Sequence, residues 1–189
     1  MTKVLLLLAA SFAACVSTAT AGDWYASVYG GINRNSVIDV PFVDSNDGEV
    51  IGATVGRNLA IPGLRIEADL SYRTNDVDLF GGFIEANHET TAAMFNVAYD
   101  IGSGSVKPFV TGGIGWAHTE ATFESISLLK LEAGDVAFQA GVGANVAVLP
   151  GVRFGVGFTV FQGPTVEVLG LELSDGLNKS LYARLSFDL

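Results

Sequence analysis

The chain has 189 residues, enough for one domain, and a formal net charge of −10 at pH 7. Charged residues make up 16%, against about 25% in ordinary globular proteins, while apolar residues reach 49%. So little charge cannot cover a water-facing surface in the usual way, and the acidic balance excludes nucleic acid as a partner.

In chain order, residues 1–21 read as an export signal. Met1-Thr2-Lys3 is a short positive region, Val4 to about Val16 is apolar, and Ala19-Thr20-Ala21 is a small-x-small cleavage site before Gly22. The apolar stretch falls short of the roughly 20 residues a helical span needs. The folded domain is then expected over residues 22–189. The only cysteine, Cys15, lies in the signal, so the mature chain has no disulfide and no thiolate metal site. A second processing route stays open. Phe12-Ala13-Ala14-Cys15 resembles a lipoprotein box, which would leave Cys15 lipidated as the new N-terminus. Intact mass distinguishes the two.

Helical periodicity is weak through the rest of the chain, whereas period-two alternation recurs. It predicts eight strands, at about 23–33, 49–60, 64–75, 88–101, 106–118, 135–149, 152–163 and 179–189. Each has the length a tilted strand needs to cross a bilayer. Three connections are tight turns: Ile61-Pro62-Gly63, Gly102-Ser103-Gly104-Ser105 and Pro150-Gly151. Four are long, at about 34–48, 76–87, 119–134 and 164–178. Long and short alternate strictly, so an up-and-down meander puts all tight turns and both termini at one end. Short turns at one end and long loops at the other is the pattern of an outer-membrane barrel.

Alternation alone also suits a soluble sandwich, with its polar face outward. Two features favour the inverted arrangement. Leu181, Ala183, Leu185, Phe187 and Leu189 form a complete apolar face, as do Val152, Phe154, Val156, Phe158 and Val160, and the alternate residues from Val136 to Val148. The opposite faces are crowded with small residues, such as Gly52, Thr54, Gly56, Gly141, Gly143, Gly155 and Gly157. Water has no need of small side chains, but the lumen of an eight-stranded barrel is only just wide enough to be filled. The expected fold is an all-β, eight-stranded antiparallel up-and-down transmembrane β-barrel.

The charges divide accordingly. With Arg34 counted to the first strand, the four long connections hold twelve acids and one base, Lys130, and the rest of the mature chain holds eight of each. A balanced wall suits charges that neutralise one another inside, since buried charge is tolerated only when paired. In Leu64–Arg73, Leu64, Ile66, Ala68, Leu70 and Tyr72 should face lipid. Arg65, Glu67, Asp69 and Arg73 should face the lumen, paired with groups such as Asp100, Arg153, Arg184 and Asp188. Trp24, Tyr72, Tyr99, Trp116 and Phe187 near strand ends fit interfacial girdles.

Several segments then resemble the small outer-membrane β-barrel family that includes the opacity-type proteins and the membrane domain of OmpA. They are Asp23-Trp24-Tyr25, Asn96–Ile101, Lys107–Gly115, Phe138–Gly143 and the alternating last strand. The resemblance implies an outer-membrane location, an opacity-type or porin-like barrel, and recognition by the outer-membrane insertion machinery. Adhesion or surface recognition is the added task it suggests. Members commonly end in Phe, whereas this chain ends Phe187-Asp188-Leu189, and no peptidoglycan-binding domain follows, so wall anchoring is not implied.

No catalytic constellation stands out. His88 and His118 sit at the long-loop ends of neighbouring strands, with Glu89 and Glu120 beside them. Register turns His88 to the lumen and His118 to lipid, so no shared metal site and no metal are expected. The last strands hold no His–x–Ser arrangement, and Gly112-Gly113-Ile114-Gly115 is not a phosphate loop because no helix follows. The expectation is a non-enzymatic scaffold without cofactors. Its partners would be outer-membrane lipid, lipopolysaccharide and an extracellular ligand of the acidic loops. The alternative is a narrow channel for small solutes.

Overall fold

The computed structural model describes residues 23–35, 43–45, 48–79, 84–123, 130–164, 166–168, 171–174 and 177–189. The expected export signal and cleavage site, with Cys15, lie outside them.

Alternating sequence and Gly-containing turns produce one closed sheet. Its strands are β1 (Trp24–Asn35), β3 (Gly48–Asn58), β4 (Leu64–Leu79), β5 (Ile84–Asp100), β6 (Val106–Phe123), β7 (Lys130–Leu149), β8 (Val152–Gln162) and β11 (Leu177–Asp188). Each pairs antiparallel with its sequence neighbour in this set, and β11 returns to β1 through Tyr25↔Asp188 to Asn35↔Asn178. Eight strands therefore close without a free edge, the condition lipid imposes on a backbone that has no water to bond. Gly63, Gly102 and Gly151 lie in the three turns with φ of 81°, 83° and 74°, where a side chain would be strained.

The wall is apolar outside and polar inside. Val28, Leu70, Phe95, Ile114, Phe138, Val142, Val156 and Leu181 are exposed, whereas Arg65, Glu67, Asp69, Ser71 and Arg73 are buried. A one-residue slip would exchange the two sets, so lipid on one side and a packed lumen on the other pin the register.

Two expected long loops prove to be mostly strand. β4 and β5 stay paired out to Leu79↔Ile84, and β6 and β7 out to Thr122↔Lys130. Asp76, Asp78, Glu85, Glu120 and Glu132 thus sit on strands, not in loops. Period two continues through both segments, Val77 and Leu79 alternating with Asp76 and Asp78, and Leu131 and Ala133 with Lys130 and Glu132, while backbone pairing is maintained. Three short segments, β2 (Val43–Ser45), β9 (Val166–Val168) and β10 (Leu171–Ser174), complete the described strands. β2 extends the sheet along the end of β4, and β9 and β10 pair with each other.

Candidate functional site

The lumen is built around β4, whose alternate positions aim a column of charge inward. Glu67 is its centre. Its Oε1 accepts a hydrogen bond from Tyr25 Oη at 2.6 Å and from Arg184 Nη1 at 3.1 Å, and it pairs with Arg65 on its own strand. Arg65 Nη1 also donates to Tyr25 Oη at 3.0 Å. Arg65 Nη2 lies 3.1 Å from Asp100 Oδ1, at ion-pair distance but angled away from a hydrogen bond. One carboxylate thus joins two guanidiniums and a phenol, each charge meeting its opposite in a desolvated space.

Asp69 and Arg73 are buried beside this cluster but make different contacts from the ion pairs expected of them. Asp69 accepts from Thr54 Oγ1 at 2.9 Å and Tyr29 Oη at 3.1 Å. Arg73 donates to Ser71 Oγ at 2.7 Å and lays its guanidinium 4.0 Å over the Phe161 ring. A cation over an aromatic face is stabilised without an anion. Arg153 and Asp188 pair with each other at 2.7 Å near the tight-turn end, rather than with the β4 column.

The zero balance of the wall also proves to have a mixed origin. Arg65, Glu67, Asp69, Arg73 and Arg184 are buried in the lumen, but Arg34, Glu49, Glu89 and Lys179 are exposed on the outer face. Parity along each strand, not balance, decides which charges point inward.

Tyr25, Tyr29 and Tyr182 are the lumen residues that periodicity alone undervalues. Each has a glycine where its ring lies: a Cβ on Gly56 would strike Tyr25, on Gly52 would strike Tyr29, and on Gly157 would strike Tyr182. Gly56 and Gly52 are the direct cross-strand partners of Tyr25 and Tyr29, and Gly157 is that of Tyr182. The small lumen residues therefore make room for specific rings. That Tyr–Gly complementarity is a sequence signal, but only once the register is known.

Toward the long-connection end, Asn33 donates to Asn75 Oδ1 at 3.1 Å and Asn178 Oδ1 at 2.9 Å, while Asn75 donates to Asn178 Oδ1 at 3.2 Å. Ser180 closes the group by donating to Asn33 Oδ1 at 2.7 Å. His88 is buried on the lumen side, whereas His118 is 46% exposed on the outer face, so the two histidines do not converge. Trp24 and Trp116 are exposed at opposite rims: Trp24 pairs with Arg57 beside a tight turn, and Trp116 pairs with Val136 toward the far end.

A closed barrel with this inverted wall has relatives. The profile of the outer membrane protein β-barrel domain matches residues 4–171. The chain belongs to that family. This outer-membrane barrel superposes on Neisserial surface protein A with a TM-score of 0.69 at 14% identity, covering 90% of this chain and all of the other. For Ail, the attachment invasion locus protein of Yersinia pestis, solved with the heparin analogue sucrose octasulfate, the TM-score is 0.55 at 10% identity, covering 88% and 99%. For the N-terminal barrel of Pseudomonas aeruginosa OprF it is 0.51 at 13%, covering 90% and 100%. No curated protein matches by sequence. At these identities the likeness is one of fold. The outer-membrane barrel resides in the bacterial outer membrane, as the family match and the inverted wall require.

Proposed function

We propose that this outer-membrane barrel is a non-enzymatic structural scaffold whose lumen is sealed by its own charge network. It presents acidic connections at the cell exterior, with surface recognition or adhesion as its added task. The observation that carries the reading is the convergence of Tyr25, Arg65 and Arg184 on Glu67, with the asparagine group stacked beyond it. The cavity bounded by Tyr29, Glu67, Asp69, Arg73, Tyr182 and Arg184 measures about 20 Å³, room for about one water. A solute-sized path does not fit there.

Ail and Neisserial surface protein A support surface recognition by fold. The heparin analogue bound to Ail does not transfer, because the acids that outnumber bases in the long connections and on the strand ends leading to them repel a sulfated ligand. A basic extracellular partner suits them better. Lipopolysaccharide and outer-leaflet lipid are the proposed membrane partners. Arg34 and Lys179 stand directly opposite each other on the outer face, over a groove of about 270 Å³ lined by Ile32, Phe158 and Leu181. That places two cations above an apolar seat, the complement of a lipid phosphate and its acyl chain. The alternation of β11 from Asn178 to Phe187 supports recognition by the outer-membrane insertion machinery.

Planar-bilayer conductance tests the sealed lumen. The purified barrel should give no unitary steps. Steps that vanish in Arg65→Gln/Arg184→Gln would overturn the scaffold in favour of a narrow channel.

A further inference from the structure

The outer face just beyond Trp116 carries an unusual row. Glu89, Glu120 and Glu132 stand side by side on β5, β6 and β7, paired as Glu89↔Glu120 and Glu120↔Glu132. Like charges directly opposite each other weaken a sheet. Two residues nearer the membrane on β6, His118 faces the same way. Its Nε2 lies 3.5 Å from Glu120 Oε1 and 4.0 Å from Glu132 Oε2, and one donor atom from each of the three falls within 4.8 Å of the others.

His118 pairs across to Gly134. A Cβ on Gly134 would sit 3.5 Å from Trp116 Nε1 and 3.6 Å from His118 Nδ1. Those are ordinary van der Waals contacts, and they place Nδ1 toward Gly134 while Nε2 is the nitrogen near the carboxylates.

We propose that His118, Glu120 and Glu132 form a surface site for a divalent first-row transition ion of the zinc type. One imidazole nitrogen and two carboxylate oxygens are ligands such an ion takes, leaving a fourth position to water. In a tetrahedral shell at ordinary zinc–ligand lengths, neighbouring donors stand about 3.3 Å apart. The distances from Nε2 are 3.5 and 4.0 Å, so small rotations of exposed side chains close the shell. The nitrogen donor sets the site apart from an all-oxygen calcium or magnesium site. His118 and Glu120 are adjacent on β6, but Glu132 arrives only through the pairing of β6 with β7.

Isothermal titration of the folded, chelator-stripped barrel in detergent with Zn²⁺ alone tests this. One saturable site is expected, with Ca²⁺ and Mg²⁺ binding at least about tenfold more weakly. His118→Ala and Glu132→Gln should each weaken Zn²⁺ binding by about tenfold or more, while Glu49→Gln, on the same outer face, should leave it unchanged. Heat-modifiable gel migration confirms that each variant is folded, and His118→Gln serves if His118→Ala is not. Absence of a saturable site overturns the proposal. So does Zn²⁺ binding that is indifferent to His118, or Ca²⁺ binding as tight as Zn²⁺, because either would reduce the row to a diffuse acidic patch.

Discussion

Glu67 and Arg184 meet across the lumen, Oε1 to Nη1 at 3.1 Å, although 117 positions separate them in the chain. The contact ties β4 to β11, two strands that are not neighbours in the sheet, and so braces the barrel across its bore. Glu67→Ala would strand the buried Arg184 guanidinium and leave Arg65 with Asp100 as its ion-pair partner and Tyr25 as its hydrogen-bond acceptor. The expected loss is about 3 kcal/mol, read as a lower urea midpoint or a lower temperature of heat-modifiable migration. Glu67→Gln keeps the shape and removes the charge, and it should lose most of the same stability. An unchanged midpoint in both variants would mean that the pair contributes nothing.

Gly56 gives a second prediction. A side chain there would displace the Tyr25 ring and with it the 2.6 Å bond to Glu67. Gly56→Val should destabilise by about 1–3 kcal/mol through overpacking. Gly112 is the contrast: it faces outward, and a Cβ there would have its nearest contact at 3.9 Å. Gly112→Ala should stay within about 0.5 kcal/mol of the parent. Equal effects at the two positions would show that lumen packing is not the constraint.

The lipid seat predicts selective retention. Native mass spectrometry of the barrel released from mixed micelles should show phosphorylated lipid held more strongly than a neutral one. Arg34→Gln/Lys179→Gln should lower that retention several-fold. Retention that ignores both the headgroup and the variant would leave the groove as ordinary annular surface.

His88 predicts a pH dependence. It lies on the long-connection side of Ala93, the partner of the girdle residue Trp116, and burial pushes its imidazole below the ordinary value. The folded state therefore holds the proton more weakly than the unfolded chain does. The stability gained from a neutral His88 is complete above about pH 6.5 and declines as the pH falls below it. His88→Asn should flatten the urea midpoint between pH 7.5 and 5 relative to the parent. A parallel decline in both proteins would assign the titration elsewhere.

Much of this was legible along the chain, for a reason each element makes plain. β11 shows Leu181, Ala183, Leu185 and Phe187 outward and Tyr182, Arg184 and Ser186 inward, because a strand exposes its two faces at every second residue. The turns at Gly63, Gly102 and Gly151 could be placed because reversal demands a backbone that glycine supplies. The extended hairpins of β4–β5 and β6–β7 were hidden, since their acids, Asp76, Asp78, Glu85, Glu120 and Glu132, read as loop although Val77, Leu79, Leu131 and Ala133 keep period two.

The sequence by itself determined that the wall is apolar without and polar within, how many times it crosses, and which charges point inward. Those properties follow from period two, strand length and turn chemistry, all of them local. Only the tertiary structure decided which charges meet. Asp69 takes hydroxyl donors, Arg73 takes an aromatic ring, and Glu67 gathers two arginines, because partners across a closed barrel are set by register and shear rather than by distance along the chain. The same geometry carries Glu132 to His118 on the outer face.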